Sequence, residues 1–230
     1  MMAQLRFFAA GASTALLIAA SAAAQIQVES AEARIGTYRV TVTNATKGQV
    51  ISPPLAVFHQ RSIALFEVGE PVVDELAIIA EDGDPGPFAD VLAGVPEVSG
   101  LGAAPGPVPP GQSVTWEVDA RVGHRLSVVG MLVNTNDVCF AINSVQLPRS
   151  RFSSSTWTGN AYDAGSEANN EDCGFIPGPA CQGAGAGVRD TAGAEGYVTV
   201  SNGIHGIADL SPAAYDWRNP TVRVHVVRIR

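Results

Sequence analysis

The segment 162–172 carries four carboxylates and two side-chain amides within eleven residues. Calcium takes about six to eight hard oxygen ligands from carboxylates, amides, backbone carbonyls and water, and a loop rich in Asp, Glu, Asn and Gly can supply several of them. The spacing does not match the EF-hand loop. A calcium site here would therefore need ligands from more than one loop, and a solvated acidic loop is the alternative.

The common catalytic signatures are missing from the chain. It contains no GxSxG nucleophile elbow, no HExxH motif, no GxxxxGK[ST] phosphate loop and no GxGxxG fingerprint between a strand and a helix. His225 alternates with valines on a predicted strand and is expected to face solvent, while His205 lies beside Gly206 in a predicted tight turn. No residue pattern nominates a reaction, so we predict that the protein is not an enzyme.

The charge balance argues against binding to nucleic acid. The chain has 14 Lys and Arg against 22 Asp and Glu, which gives a formal net charge of −8. Binding to phosphates draws its affinity from clustered cations that release counterions, and the sequence contains no basic run.

Residues 1–24 have the features of a signal peptide. Arg6 supplies the positive start, 7–20 is a stretch of small and apolar residues, and 22–24 offers the small residues that a signal peptidase requires. This stretch is short and rich in Ala, Gly and Ser, which disfavours the alternative of a membrane-spanning helix. We expect cleavage before Gln25, no transmembrane segment in the mature chain, and export to the periplasm or the extracellular space.

Export determines how the three cysteines are interpreted. In an oxidising compartment Cys173 and Cys181, eight positions apart in a Gly- and Pro-rich stretch, are predicted to form a disulfide. Cys139 lies in an apolar run and is predicted to be buried and free. Three cysteines permit two other pairings, which the spacing leaves open. Zinc is disfavoured because no CxxC pair or His-rich spacing occurs.

Alternation of apolar and polar residues dominates the remaining sequence and predicts an all-β fold. Half-buried antiparallel strands are predicted at 38–43, 114–119, 197–200 and 221–229. The segments 126–133 and 138–147 are more continuously apolar, and a polar turn joins them, which predicts a central hairpin.

One short helix is predicted from Pro71 to Glu81, where Pro71 suits the first helical position and the Asp82-Gly83-Asp84-Pro85 cluster ends the helix. The segments 94–111 and 149–193 lack periodicity and are predicted to be long loops. Since strands are expected on both sides of each loop, we predict one β-sandwich domain over 25–230, with its core at about 36–230.

Four motifs in this order resemble the bacterial spondin-domain proteins, relatives of the N-terminal spondin domains of F-spondin and mindin. The match covers residue 36 to the end of the chain. The motifs are Thr135-Asn136-Asp137 before an apolar strand, Tyr162-Asp163-Ala164-Gly165-Ser166-Glu167, Asn202-Gly203-Ile204-His205-Gly206 with Asp209-Leu210, and Asp216-Trp217-Arg218-Asn219-Pro220 before a final strand.

The resemblance implies an antiparallel C2-like β-sandwich with a calcium ion at one end and roles in matrix attachment and receptor binding. Carried over to this chain, it implies Asp137, Asp163 and Glu167 as metal ligands. Glu117 and Asp119 on the preceding strand are weaker candidates.

These observations predict an exported calcium-binding module that recognises an envelope or extracellular protein or a polysaccharide. Two alternatives remain open. A hydrolase could use the same carboxylates and a metal to activate water, which would need an open coordination position and a substrate pocket. A structural envelope protein would need neither.

Overall fold

Nine antiparallel β-strands form one curled sheet in residues 35–230, the part of the chain that the computed structural model describes. The predicted signal peptide lies outside these residues. The strands are β1 (Ile35–Asn44), β2 (Leu55–His59), β3 (Val98–Ala103), β4 (Ser113–Arg121), β5 (Arg125–Met131), β6 (Val138–Gln146), β7 (Ser154–Asp163), β8 (Thr199–Val200) and β9 (Val222–Arg228). Their order in the sheet is β3-β2-β5-β6-β7-β9-β1-β4, and β8 pairs with the end of β7.

Strand β7 connects the two halves of this sheet. Its first six residues, Ser154–Gly159, pair with β9, whereas Asn160–Asp163 pair with β6. The all-β antiparallel prediction is confirmed. Hydrogen bonding therefore runs continuously through β7 from one half of the sheet to the other.

The two end strands, β3 and β4, approach each other and nearly close the sheet into a barrel. The indole of Trp116 on β4 donates a hydrogen bond of 3.0 Å to the Gly102 carbonyl on β3. A Cβ atom at Gly100 would lie only 2.4 Å from the Asp119 carbonyl oxygen. The glycines of β3 therefore permit the close approach of β4.

The predicted central hairpin is confirmed as β5 and β6, and its apolar character follows from burial on both faces. One face lies against the core inside the curled sheet. The other face packs against helix α1 (Asp74–Asp82) through Leu76 and Ile79, and helix α2 (Gly86–Ala93) adds Phe88 and Leu92 to the same apolar cluster. Because both faces of the hairpin are buried, its two strands have continuous apolar runs rather than alternating apolar and polar residues.

The helix prediction needs correction. The predicted helix at Pro71–Glu81 begins three residues later, at Asp74, and Gly83 ends it in a left-handed conformation. The structure also has α2 and a four-residue helix, α3 (Pro212–Tyr215), where the sequence predicted one helix only. None of the helices found within 35–230 is long and apolar enough to cross a membrane.

Both predicted long loops contain a strand, so those predictions are wrong in part. β3 lies inside 94–111, and β7 lies inside 149–193. Conversely, the strand predicted at 197–200 shortens to the two residues of β8. Small residues at inward positions, such as Gly159 and Ala161, give β7 too little apolar alternation to be recognised.

The predicted disulfide between Cys173 and Cys181 is confirmed, and Cys139 is free and buried on β6. Burial raises the pKa of the Cys139 thiol to about 12, so this side chain is held as an unreactive thiol. The disulfide links two short 3-10 helices, Cys173–Phe175 and Pro179–Cys181.

Removing this disulfide is expected to lower the free energy of unfolding by about 2–3 kcal/mol, because a loop of this length is then no longer constrained in the unfolded chain. Urea denaturation of a Cys173→Ser/Cys181→Ser variant, beside the oxidised and reduced wild type, measures the change. Peptide mapping that linked Cys139 to either cysteine would contradict the assignment.

Candidate cation site

The end of the β6–β7 hairpin brings two of the predicted ligands together. Val138 at the start of β6 pairs with Asp163 at the end of β7, and the Ala164 amide donates to the Asp137 carbonyl over 3.1 Å. Asp137 and Asp163 therefore lie side by side although they are 26 positions apart in the sequence.

Asp137 is fully buried, and only one of its carboxylate oxygens has partners. Its Oδ2 accepts hydrogen bonds from the backbone N–H of Ser166 (2.7 Å), the Ser166 hydroxyl (3.3 Å) and the backbone N–H of Glu167 (3.0 Å). Its Oδ1 has no hydrogen-bond partner. Burial, together with the charge of Asp163, raises the pKa of Asp137 to about 7 despite these hydrogen bonds.

Glu167 repeats this arrangement. The side chain is 1% exposed, its Oε1 accepts from the Asp190 amide over 3.1 Å, and its Oε2 has no partner. Burial first, and then the charges of Glu81 and Asp137, raise the pKa of Glu167 to about 8. The structure thus gathers carboxyl groups at a place where it supplies few hydrogen-bond donors.

Asp163 differs because both of its oxygens have partners. Oδ1 accepts from the Gly165 amide over 2.8 Å, and Oδ2 accepts from the Asn169 side chain over 2.6 Å. Burial raises the pKa of this carboxyl as well. As a metal ligand, Asp163 would have to exchange one of these hydrogen bonds for the ion.

Two residues of the site do not stand out in the sequence. Glu81, at the end of α1, is buried and forms an ion pair with Arg189, which also binds Asp82 at 3.1 Å. Arg189 is the cation that partly offsets the charge of Glu167. Glu81 lies more than 80 residues from Glu167, so no local pattern relates them.

The weaker candidates lie elsewhere. Glu117 pairs with Arg39 at 3.0 Å, and Asp119 accepts a hydrogen bond from the Thr37 hydroxyl at 2.6 Å. Both residues are on β4 and bond to β1, so the structure does not bring them to the hairpin end.

Glu171 belongs to the acidic segment but has a structural role. Its buried carboxylate accepts hydrogen bonds from the backbone N–H groups of His205 (2.5 Å), Gly206 (2.7 Å) and Ile207 (3.0 Å). These bonds hold the turn predicted around His205, whose side chain is exposed. Both oxygens of the Glu171 carboxylate therefore already have hydrogen-bond partners.

A small polar pocket of about 140 Å³ opens beside this cluster. Asp163 lines it together with Asn136, Asn169, Glu171, Glu195 and His205. The size suits a hydrated ion or a very small ligand.

Within the described residues, no three Asp, Glu, His or Cys side chains form a ready metal-binding group. Any ion at this end would need amide, backbone or water oxygens beside the carboxylates, or some adjustment of the loop. No known protein-family model matches the chain, and no curated protein matches it either.

Proposed function

We propose that this protein is an exported, calcium-dependent binding module of the spondin type, without enzymatic activity, that recognises an envelope or extracellular protein or polysaccharide. One observation carries the proposal. Asp137 and Glu167 each keep one carboxylate oxygen buried and without a hydrogen-bond partner.

Such oxygens are costly in the absence of a ligand. A buried polar atom without a partner costs about 1–3 kcal/mol, and more when it carries charge. A divalent cation between the carboxylates would supply the missing partner and cancel their repulsion, which supports a cation site rather than a solvated loop.

Calcium is the cation that this donor set favours. Every candidate ligand is a hard oxygen, from Asp137, Glu167, Asp163 or the nearby amides. The His205 imidazole lines the adjacent pocket, but one nitrogen among carboxylates is not the thiolate- and imidazole-rich set that zinc favours. The flexible oxygen number of calcium also tolerates backbone and water ligands, which this site would need.

The surroundings support binding over hydrolysis. A hydrolase needs an open coordination position beside a substrate pocket, whereas the pocket at Asp163 is small and polar. The two halves of the sheet that β7 joins would correspond to the two layers of the C2-like sandwich that the spondin resemblance implies.

Calcium is expected to raise the melting temperature of the wild type. Binding to the folded state alone adds about 2.7 kcal/mol when free calcium is one hundred times its dissociation constant. Calorimetric titration of Glu167→Gln and Asp163→Asn should show affinity lowered at least tenfold. Asp90→Asn on the exposed side of α2 removes the same charge and should bind as the wild type does.

A chelator that leaves the wild-type melting curve and titration unchanged would contradict the cation site. A pull-down from the native envelope, with calcium and with chelator, then tests the binding role. We expect a partner that is retained only with calcium. Partners retained equally well with chelator would mean that partner binding does not depend on the ion.

A further inference from the structure

The end of the fold opposite the cation site gathers arginines. Two segments meet there, 149–153 between β6 and β7, and 228–230 at the end of β9. Arg228 donates to the Arg149 carbonyl, the Phe152 amide donates to the Arg228 carbonyl over 2.6 Å, and the Arg151 guanidinium donates to the Ile229 carbonyl over 3.3 Å. Four arginines thus share one surface, although the sequence has no basic run.

Three of these arginines are available to a partner, whereas Arg228 donates to the Arg149 and Arg230 carbonyls and holds the two segments together. Arg149, Arg151 and Arg230 are exposed and Arg228 is half-buried. None of the four is in an ion pair with any acid in residues 35–230. We call the surface formed by Arg149, Arg151, Phe152, Arg228 and Arg230 the arginine end.

Phe152 projects from the centre of this surface. Its side chain is 70% exposed, the largest exposed fraction among the large apolar side chains described. The Arg151 guanidinium lies 4.6 Å from the centroid of its ring. A tight turn holds the tip, since the Ser153 amide donates to the Ser150 carbonyl over 3.1 Å.

The backbone of Phe152 has a φ of 63°, in the left-handed region. A bulky residue is rare there, and such positions cost on the order of 1–3 kcal/mol unless glycine or asparagine occupies them. The strained turn presents to water an aromatic ring whose contact within the fold is the exposed Arg151 guanidinium. Backbone strain of this kind occurs at ligand-binding sites, which makes the ring a candidate for contact with a partner.

We propose that the arginine end docks on an anionic membrane surface, with the Phe152 ring at the boundary between headgroups and acyl chains and the exposed Arg149, Arg151 and Arg230 on lipid phosphates. An apolar tip surrounded by cations is the arrangement that binds such surfaces reversibly. This site is independent of the proposed cation site.

The protein's overall negative charge does not prevent this contact. β6 and β7 have nine and ten residues, so the acidic hairpin end lies about 30 Å from the arginine end. The Debye length at physiological ionic strength is about 8 Å, so the acids are largely screened from the membrane. One acid, Asp119, lies on the same side of the fold as the arginine end, where its carboxylate accepts a hydrogen bond from the Thr37 hydroxyl.

The shape of the tip favours a membrane over other anionic partners. A small ligand needs a concave pocket that buries most of its surface, and a protein partner needs a broad complementary patch. Here a single ring protrudes between guanidinium groups, which suits a deformable surface that closes around it.

The test is co-sedimentation of the exported protein with vesicles of phosphatidylethanolamine and phosphatidylglycerol, with chelator present throughout so that the cation site plays no part. Vesicles of phosphatidylcholine alone are the lipid control. We expect binding to the anionic vesicles only, weakening as salt is raised. A basic residue near the surface contributes about fivefold, so Arg151→Gln should lower the partition coefficient by about that factor.

Phe152→Asn separates docking from folding. Asparagine tolerates a positive φ, so this variant should melt at the wild-type temperature or slightly above, while its vesicle binding falls about five- to tenfold. Arg218→Gln is the control for Arg151→Gln, because it removes the same charge from a side chain beside α3 that is 87% exposed. This variant should bind vesicles as the wild type does.

Three results would overturn the proposal. One is no binding to anionic vesicles at low salt. Another is an equal loss of vesicle binding in Arg151→Gln and Arg218→Gln, with no loss in Phe152→Asn. That result would mean nonspecific attraction between charges. The third is Phe152-dependent binding to a soluble acidic polysaccharide such as alginate but not to vesicles, which would identify a saccharide partner.

Discussion

With chelator present, the melting temperature of the wild type is expected to fall by about 10 °C as the pH is raised from about 5 to about 8. The folded-state pKa of Asp137 is about 7, well above its usual value of 3.8. Between those two values the unfolded chain binds fewer protons than the folded protein, so stability falls as the pH rises. Between about pH 5 and about pH 8 this amounts to about 3 kcal/mol for Asp137, and Glu167 acts in the same direction.

Asp137→Asn isolates this effect. The amide oxygen can still accept from Ser166 and Glu167, while the buried charge is gone. We therefore expect the variant to melt above the wild type at about pH 8 without calcium, to show a much flatter pH profile, and to lose most of its response to calcium. A wild-type profile that rises over the same pH range would contradict the burial of these carboxylates.

Replacing Glu171 should have the opposite effect. In Glu171→Ala three backbone N–H groups, at His205, Gly206 and Ile207, lose a charged acceptor, and the turn that they form loses its anchor. Hydrogen bonds to charged groups contribute about 1.5–3 kcal/mol each, and water can replace part of this at an exposed turn. A loss of about 2–4 kcal/mol of unfolding free energy is expected, measured by urea denaturation with chelator.

Glu171→Gln is the matched variant, because it keeps one acceptor oxygen and should lose less. In both variants the calcium-dependent rise in melting temperature should persist, since Glu171 is already satisfied. A Glu171→Ala protein with an unchanged melting point and no calcium response would instead place Glu171 among the ligands.

Part of the fold could be predicted because the local pattern of apolar and polar residues indicates it directly. The β5–β6 hairpin has two apolar runs around a polar turn, and both faces of it are covered. β3 could not be predicted, because its glycines at 100 and 102 serve a contact with β4 that no local pattern describes. Propensity counts those glycines against a strand, whereas the close approach of β4 requires them.

The candidate cation site could likewise be predicted only in part. Asp163 and Glu167 lie in one acidic segment, and the family resemblance added Asp137, which the pairing of Val138 with Asp163 then places beside them. Glu81 and Arg189 reach the cluster only through the packing of α1 against the loop before β8. Composition also could not distinguish Glu171 from its neighbours, because the backbone groups that satisfy it come from a turn more than 30 residues away.

The contact between β3 and β4 has a consequence for solubility at high concentration. The outermost strands of an open sheet present unpaired N–H and C=O groups, which template edge-to-edge aggregation with other chains. Here each end strand covers the other, through Gly100 beside Asp119 and the Trp116 indole on Gly102, so neither presents a flat, open edge. By permitting this approach, Gly100 and Gly102 leave less open strand edge for pairing with other copies of the chain.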